Sequence, residues 1–206
     1  MKIIKLEVGN LGTNCYIIYC ETSREAAIVD AGGSTDEIMR LVRQEKLLVK
    51  YIINTHGHAD HIMGLAEVKA ATGGPVLIHE ADDEMLTNAA FNLSGFMGAK
   101  ISAAAADQTL VAGDVIEFGT VKLTVRHTPG HTPGGICLVG EGIVLSGDTL
   151  FAESIGRTDF PGGSYQQLID SIQEQLMTLP DDTKVLPGHG PDTTIGWERK
   201  MNSFIQ

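Results

Sequence analysis

Seven side chains in four separated segments have the makings of one metal-binding set. They are His56, His58, Asp60 and His61 in Thr55-His-Gly-His-Ala-Asp-His61, followed by His131, Asp148 and His189. Imidazoles and carboxylates are usual zinc ligands, and catalytic zinc sites keep a coordination position open for water. Five imidazoles and two carboxylates suit two divalent ions with such open positions, so hydrolysis is the leading expectation. Histidines two apart in an extended segment point the same way, which lets His56 and His58 share one ion. Asp60 and His61 fall where the chain turns into a helix, and their changed direction suits a second ion beside the first. A lone histidine is most often a surface or packing residue. Three histidines and an aspartate within six residues form the most specific signal in the chain. Zinc is the expected ion, while iron or manganese would accept the same donors. His79 lacks a partner pattern and His127 lies four residues before a better ligand, so both are expected to be structural.

The surrounding sequence must bring these segments together. Val49–Ile53 reads as a strand that ends at the histidine cluster, and residues 62–71 read as a helix that leaves it. Upstream, Asn14–Tyr19 and Ala26–Asp30 have strand character. A helix opened by Ser34-Thr-Asp-Glu37 carries an apolar stripe of Ile38, Leu41, Val42 and Leu48. Val115–Phe118 with Val121–Val125, and Gly135–Val139 with Ile143–Leu145, form two hairpin patterns that deliver ligand-bearing turns at their far ends. Ser164 and Gln167 resemble a capping box, ahead of helical spacing in Tyr165, Leu168, Ile169, Ile172 and Leu176 that lasts to Pro180. Val185–His189 would be a last short strand, and residues 196–204 a terminal helix. Residues 82–109 show little periodicity, with Phe91, Phe96 and Met97 looking exposed. They read equally as a lid and as a helical excursion packed on the core. Two groups of strands with helices between them predict an α/β architecture of two sheets sandwiched by helices, in one domain spanning 1–206.

Bulk composition narrows the partners. Hydrophobic residues make up 43% of the chain, enough for a sizeable core, and the net charge of −11 comes with no basic tract. That balance argues against nucleic acid as substrate. Charge interrupts the apolar residues of Met1–Glu7, unlike a signal peptide. No segment approaches the ~18 apolar residues of a membrane span. Cys15, Cys20 and Cys137 are odd in number, and the first two fall on opposite faces of a strand. They read as reduced core thiols of a cytoplasmic protein.

Taken in order, Thr55-His-Gly-His-Ala-Asp-His61, Pro129-Gly-His131, Gly147-Asp148 and Pro187-Gly-His189 resemble the metallo-β-lactamase-fold hydrolases over essentially the whole chain. The resemblance implies a four-layer αββα sandwich with the site at one edge of the two sheets. It implies that His56, His58 and His131 hold the first metal, that Asp60, His61 and His189 hold the second, and that Asp148 bridges them. Having Asp148 together with His61 is unlike the β-lactamases themselves. Gly156-Arg-Thr-Asp-Phe160 and Gly188-His-Gly-Pro-Asp-Thr-Thr-Ile-Gly196 are similar to the short, single-domain relatives of glyoxalase II, the hydroxyacylglutathione hydrolases. The same resemblance makes Arg157 a contact for a glutathione carboxylate, and Asp30 a buried support for the histidine loop together with Thr55. Two departures stand out. The helical extension that helps two-domain glyoxalase II grip glutathione is missing after His189. Gly190-Pro191 also stands where that family commonly has an acid and a tyrosine.

The expected reaction is thioester hydrolysis, with S-lactoylglutathione as the type substrate. Two metals about 3.5–4 Å apart lower the pKa of a shared water toward ~7, giving a hydroxide that attacks the carbonyl. Asp60 would orient that nucleophile, and Asp148 would set the metal spacing. The rival within the same fold is a persulfide dioxygenase, in which a single iron would use His56, His131 and Asp148. Lactone hydrolysis on the same site is a third reading, and a non-catalytic metal-binding role a fourth.

Overall fold

The computed structural model describes residues 1–98 and 100–206. The first sheet has six strands in sequence order: β1 (Lys2–Val8), β2 (Thr13–Tyr19), β3 (Glu25–Val29), β4 (Leu48–Ile53), β5 (Val76–His79) and β6 (Gln108–Leu110). Strands β1 to β3 pair antiparallel, while β3 to β6 run parallel, as crossovers through helices α1 (Thr35–Gln44) and α3 (Leu65–Thr72) require. The one-turn helix α2 (Ala59–Ile62) and α4 (Asp83–Thr87) complete this half. The second sheet is built from β7 (Val115–Phe118), β8 (Val121–His127), β9 (Ile136–Gly140), β10 (Ile143–Gly147), β13 (Lys184–Pro187) and β14 (Thr193–Thr194). Its spatial order is β14-β13-β10-β9-β8-β7. A small hairpin of β11 (Leu150–Phe151) and β12 (Ser154–Ile155) follows the second sheet's β10, and helices α5 (Tyr165–Ser171) and α6 (Ile195–Met201) close the chain.

Alternation along the strands produces the layers. In β2, Ile18 faces the second sheet while Ile17 faces α1 and α3; in β3, Val29 and Ile28 divide the same way. The inter-sheet core joins Tyr16, Ile18, Val29 and Ile53 to Phe118, Leu123, Leu138 and Leu145. On the far face of the second sheet, Cys137, Val144 and Val185 pack against Leu168, Ile172 and Ile195. Each sheet is thus buried on both faces, and the order helix, sheet, sheet, helix is the expected four-layer αββα sandwich. Cys15 and Cys20 lie in different cores, and all three cysteines are free.

Several local expectations need correcting. The first helix stops at Gln44, and Leu48 belongs to β4 with its side chain largely in water. The helix expected over 62–71 is two pieces. Gly64 breaks it where its N–H donates to the Ala31 carbonyl at 2.8 Å, a contact too close to admit a side chain there. After α5 the helix widens into a π-turn over Ile172–Leu176. Sequence reading also missed β1, an edge strand with exposed Lys2 and Lys5 that discourage further pairing. Within 82–109, Ile101, Ala103 and Ala106 pack on the helical face of the first sheet, and β6 ends the segment. Phe91 and Phe96 are exposed as expected; the side chain of Met97 lies outside the described part. No helix among the described residues is long and apolar enough to cross a membrane.

Candidate metal centre

Every segment of the ligand set leaves a strand at the same edge of the sandwich. His56 follows β4, His131 follows β8, Asp148 follows β10 and His189 follows β13. Carboxyl ends of strands are where open α/β sheets gather ligands, because the chain turns there and frees side chains from pairing. Two backbone bonds hold the sheets together at this edge: Ile136 N donates to the Thr55 carbonyl at 2.9 Å, and Asn14 N to the Gly188 carbonyl at 2.7 Å.

All seven residues meet there. Ligand atoms of His56, His58 and His131 lie within 4.8 Å of one another, as do those of Asp60, His61 and His189, and those of His56, His61 and Asp148. His58 Nδ1 approaches His131 Nε2 to 2.9 Å, and His61 Nε2 approaches His189 Nε2 to 3.3 Å. Asp148 reaches His61 at 3.4 Å and His131 at 3.5 Å, spanning the two groups.

Outer partners fix which nitrogens face inward. His131 Nδ1 donates to the Arg157 carbonyl at 2.7 Å, leaving Nε2 for the centre. Thr55 Oγ1 donates to Asp30 at 2.8 Å and sits 3.2 Å from His56 Nδ1. His61 Nδ1 lies 3.0 Å from Asp30. His56 Nε2 and Asp148 Oδ1 are buried with no hydrogen-bond partner. Lone pairs aimed at one another in a buried pocket are resolved by a cation, so the donor set fits divalent metal.

The electrostatics of His56, His58 and the two carboxylates suit that chemistry. Burial, reinforced by neighbouring imidazoles, holds His56 well below its ordinary value, and burial beside His131 pushes His58 down to about 3. Both stay in the neutral form that binds metal. Burial alone would raise Asp60 and Asp148, but the facing His61 outweighs it and keeps both carboxyls below the usual range. In His61 the order is reversed: Asp148, Asp30 and Asp60 overcome burial and raise it.

Two glycines are required by close approach. A Cβ on Gly188 would strike Asp148 Oδ1, and one on Gly156 would strike the Asp148 carbonyl. His79 and His127 stay off the ligand cluster, stacked on each other at 4.1 Å. Arg157 stands on the rim of the cleft with its guanidinium bound twice to Asp159, at 2.9 and 2.7 Å.

Sequence reading overlooked Asp82. Fully buried, it accepts from Gly57 N at 3.2 Å, Thr132 Oγ1 at 2.7 Å and Gly134 N at 2.6 Å. It therefore ties the His56–His61 loop to the His131 loop. Asn14 was missed as well; its Nδ2 donates to the carbonyls of Pro187 at 2.9 Å and Gly190 at 3.0 Å, bracketing His189. Neither has a motif of its own, and only the His79-Glu-Ala-Asp82 turn following a strand hinted at the first.

The model of the metallo-beta-lactamase superfamily matches residues 8–189. The chain belongs to that superfamily and is a metallo-hydrolase of its kind. It is 36% identical to the probable metallo-hydrolase YqgX of Bacillus subtilis over 208 residues, covering 100% of this chain and 98% of the relative. It is 32% identical to the hydroxyacylglutathione hydrolase GloC of Haemophilus influenzae, with the same coverage. Among solved structures, BLEG-1 B3 metallo-beta-lactamase superposes with a TM-score of 0.95 at 36% identity, covering 100% of both chains. The di-iron-bound form of TTHA1623 gives 0.88 at 32% identity, over 98% of this chain and 99% of that one. ETHE1 from Myxococcus xanthus gives 0.82 at 28% identity, over 98% and 84%.

Proposed function

We propose that this chain hydrolyses a thioester, in the manner of a short glyoxalase II, on a site built for two divalent ions. The convergence of seven donors into two adjoining three-residue groups with Asp148 between them carries this reading. His56, His58 and His131 would hold one ion, and Asp60, His61 and His189 the other. Zinc, iron and manganese all suit the donors, and a di-iron neighbour keeps iron in play. When bound, such ions supply Lewis acidity and bring the pKa of water to about 7.

The chain's own groups do the rest. Asp60, which lies beside His61 and His189 at the mouth of the cleft, would accept a hydrogen bond from the attacking water and aim its lone pair at the carbonyl. Asp148 fixes the spacing of the two groups. The Asp30–Thr55 pair and the Arg157 carbonyl keep His56, His61 and His131 in one orientation, so little reorganisation is needed as charge develops. A thiolate leaves without a dedicated acid. The likeness to the hydroxyacylglutathione hydrolase GloC supports the thioester, and the likeness to ETHE1 keeps persulfide oxidation as the alternative.

Purified protein of measured metal content, assayed against S-lactoylglutathione, a lactone, a β-lactam and glutathione persulfide, tests the reading. Release of free thiol from the first with no oxygen uptake from the last is expected. Oxygen uptake with persulfide and no thioester cleavage would overturn it.

A further inference from the structure

The cleft that opens onto the ligand cluster has a volume of about 340 Å³, at the small end of the ~300–1,000 Å³ typical of ligand pockets. Beyond the ligands, its walls are mainly apolar, with Leu11, Leu93, Phe96, Phe151 and Phe160 beside the polar Asn92 and Arg157. Two of these are conspicuous, since Leu11 is 56% and Phe96 82% exposed. Large apolar side chains held in water around one concave site mark a place where something apolar docks. Leu93 adds a second sign. Its φ of 65° puts a leucine in the left-handed region, a strained conformation that persists only if neighbours enforce it. Buried Asn92 and Ser94 on either side do so through bonds to Met85, Ile101 and Ser94 itself.

The apolar surface starts right at the metal ligands. Phe160 meets His58 edge-on at 5.7 Å between ring centres, and Phe151 meets His189 at 6.3 Å. Arg157 is the one lysine or arginine among the residues lining the cleft. Asp159 neutralises it, and its guanidinium lies over the Phe160 ring at 4.1 Å, where it backs an apolar wall. An anionic substrate group arriving there meets the Asp159 carboxylate as well as the guanidinium, on a chain of net charge −11.

Building on the thioesterase reading, we infer that this cleft grips an uncharged, apolar acyl chain and takes no hold of the carboxylates of a glutathione-like thiol. In the reaction, water adds its hydroxyl to the acyl carbon, the C–S bond breaks, and the departing sulfur takes up a proton, giving a fatty acid and a thiol.

The test compares acetyl, butyryl and hexanoyl thioesters of neutral N-acetylcysteamine with the same acyl groups, and lactoyl, on glutathione. Since each buried methylene favours binding, kcat/KM is expected to rise at least about tenfold from acetyl to hexanoyl on either thiol. The two thiols should differ less than about threefold at a fixed acyl group. Phe96→Ser, at an exposed position whose melting temperature checks the fold, is expected to flatten the chain-length dependence by raising KM for hexanoyl. Calorimetric binding of a hexanoyl analogue with methylene in place of sulfur gives a readout without turnover. Binding of that analogue, weakened by Phe96→Ser, upholds the inference even if no thioester is cleaved, a result that would sink only the proposed reaction. Cleavage of lactoylglutathione at least tenfold faster than every neutral-thiol ester, or no binding of the analogue, overturns the inference and leaves the hydrolase reading standing.

Discussion

Asp148 shows how much one side chain can be asked to do. It touches both ligand groups, and Gly188 lies so close to its carboxylate that a side chain there would strike Oδ1. We expect Asp148→Ala to lose at least one bound metal equivalent and nearly all turnover, as measured by elemental analysis beside a thioester assay; full metal content with normal activity would refute the bridging role. Asp82 acts one step further out, as a positioning residue that orders two ligand loops through three donors. Asp82→Asn keeps the volume but turns one acceptor into a donor facing a donor, a mismatch of roughly 1–3 kcal/mol. Denaturant midpoints should fall accordingly, and metal affinity by about 10- to 100-fold. An unchanged metal affinity would reduce Asp82 to a plain packing role. The seven donors, which the fold brings together, were singled out by residue type, local motif and family resemblance, but Asp82 was not, because its three partners come from loops that are neighbours only in space.

At the scale of elements, each ligand-bearing segment starts from a strand end, and Asp60 and His61 sit on the one-turn helix α2 that follows β4. Strand ends can be read from hydrophobic alternation, so the expected ends near residues 53 and 145 fell close to those observed. The short pieces were not readable: β11, β12 and β14 have two residues each, too few for any periodicity. The wall over the cleft is the other hidden element. It has no repeating pattern because it is organised by side-chain to backbone bonds from Asn92 and Ser94. Asn92→Ala leaves the Met85 and Ile101 carbonyls without their donor. We expect faster hydrogen exchange around Ser94 and Ile101 and a higher KM, with the two sheets still protected. Unchanged exchange there would show that packing alone holds the wall.

The whole molecule joins two six-stranded sheets at one edge through few backbone bonds, so ligands from both halves meet across a seam. Metal bound there should clamp the halves together. Binding at 100-fold above Kd is worth about 2.7 kcal/mol, and at roughly 2–4 °C per kcal/mol for a chain of this size chelation should lower the melting temperature by about 5–10 °C. Calorimetry with and without chelator checks this, and equal melting temperatures would mean that the sandwich does not depend on its centre.

Residue type and alternation pointed to an α/β architecture of two sheets with helices, and the histidine-rich motifs with their family resemblance pointed to the four layers and the seven donors, because both are carried by local pattern. Only the folded chain decided which charges are free. Arg157 looked from sequence like an available cation, but Asp159 two residues on and the Phe160 ring beneath it hold its guanidinium. Phe96 read from sequence only as an exposed side chain, and Leu11 and Leu93 carried no signal, yet the fold sets all three around one cleft. A pocket's character is the sum of groups brought together from distant segments, and sequence order carries no record of that sum.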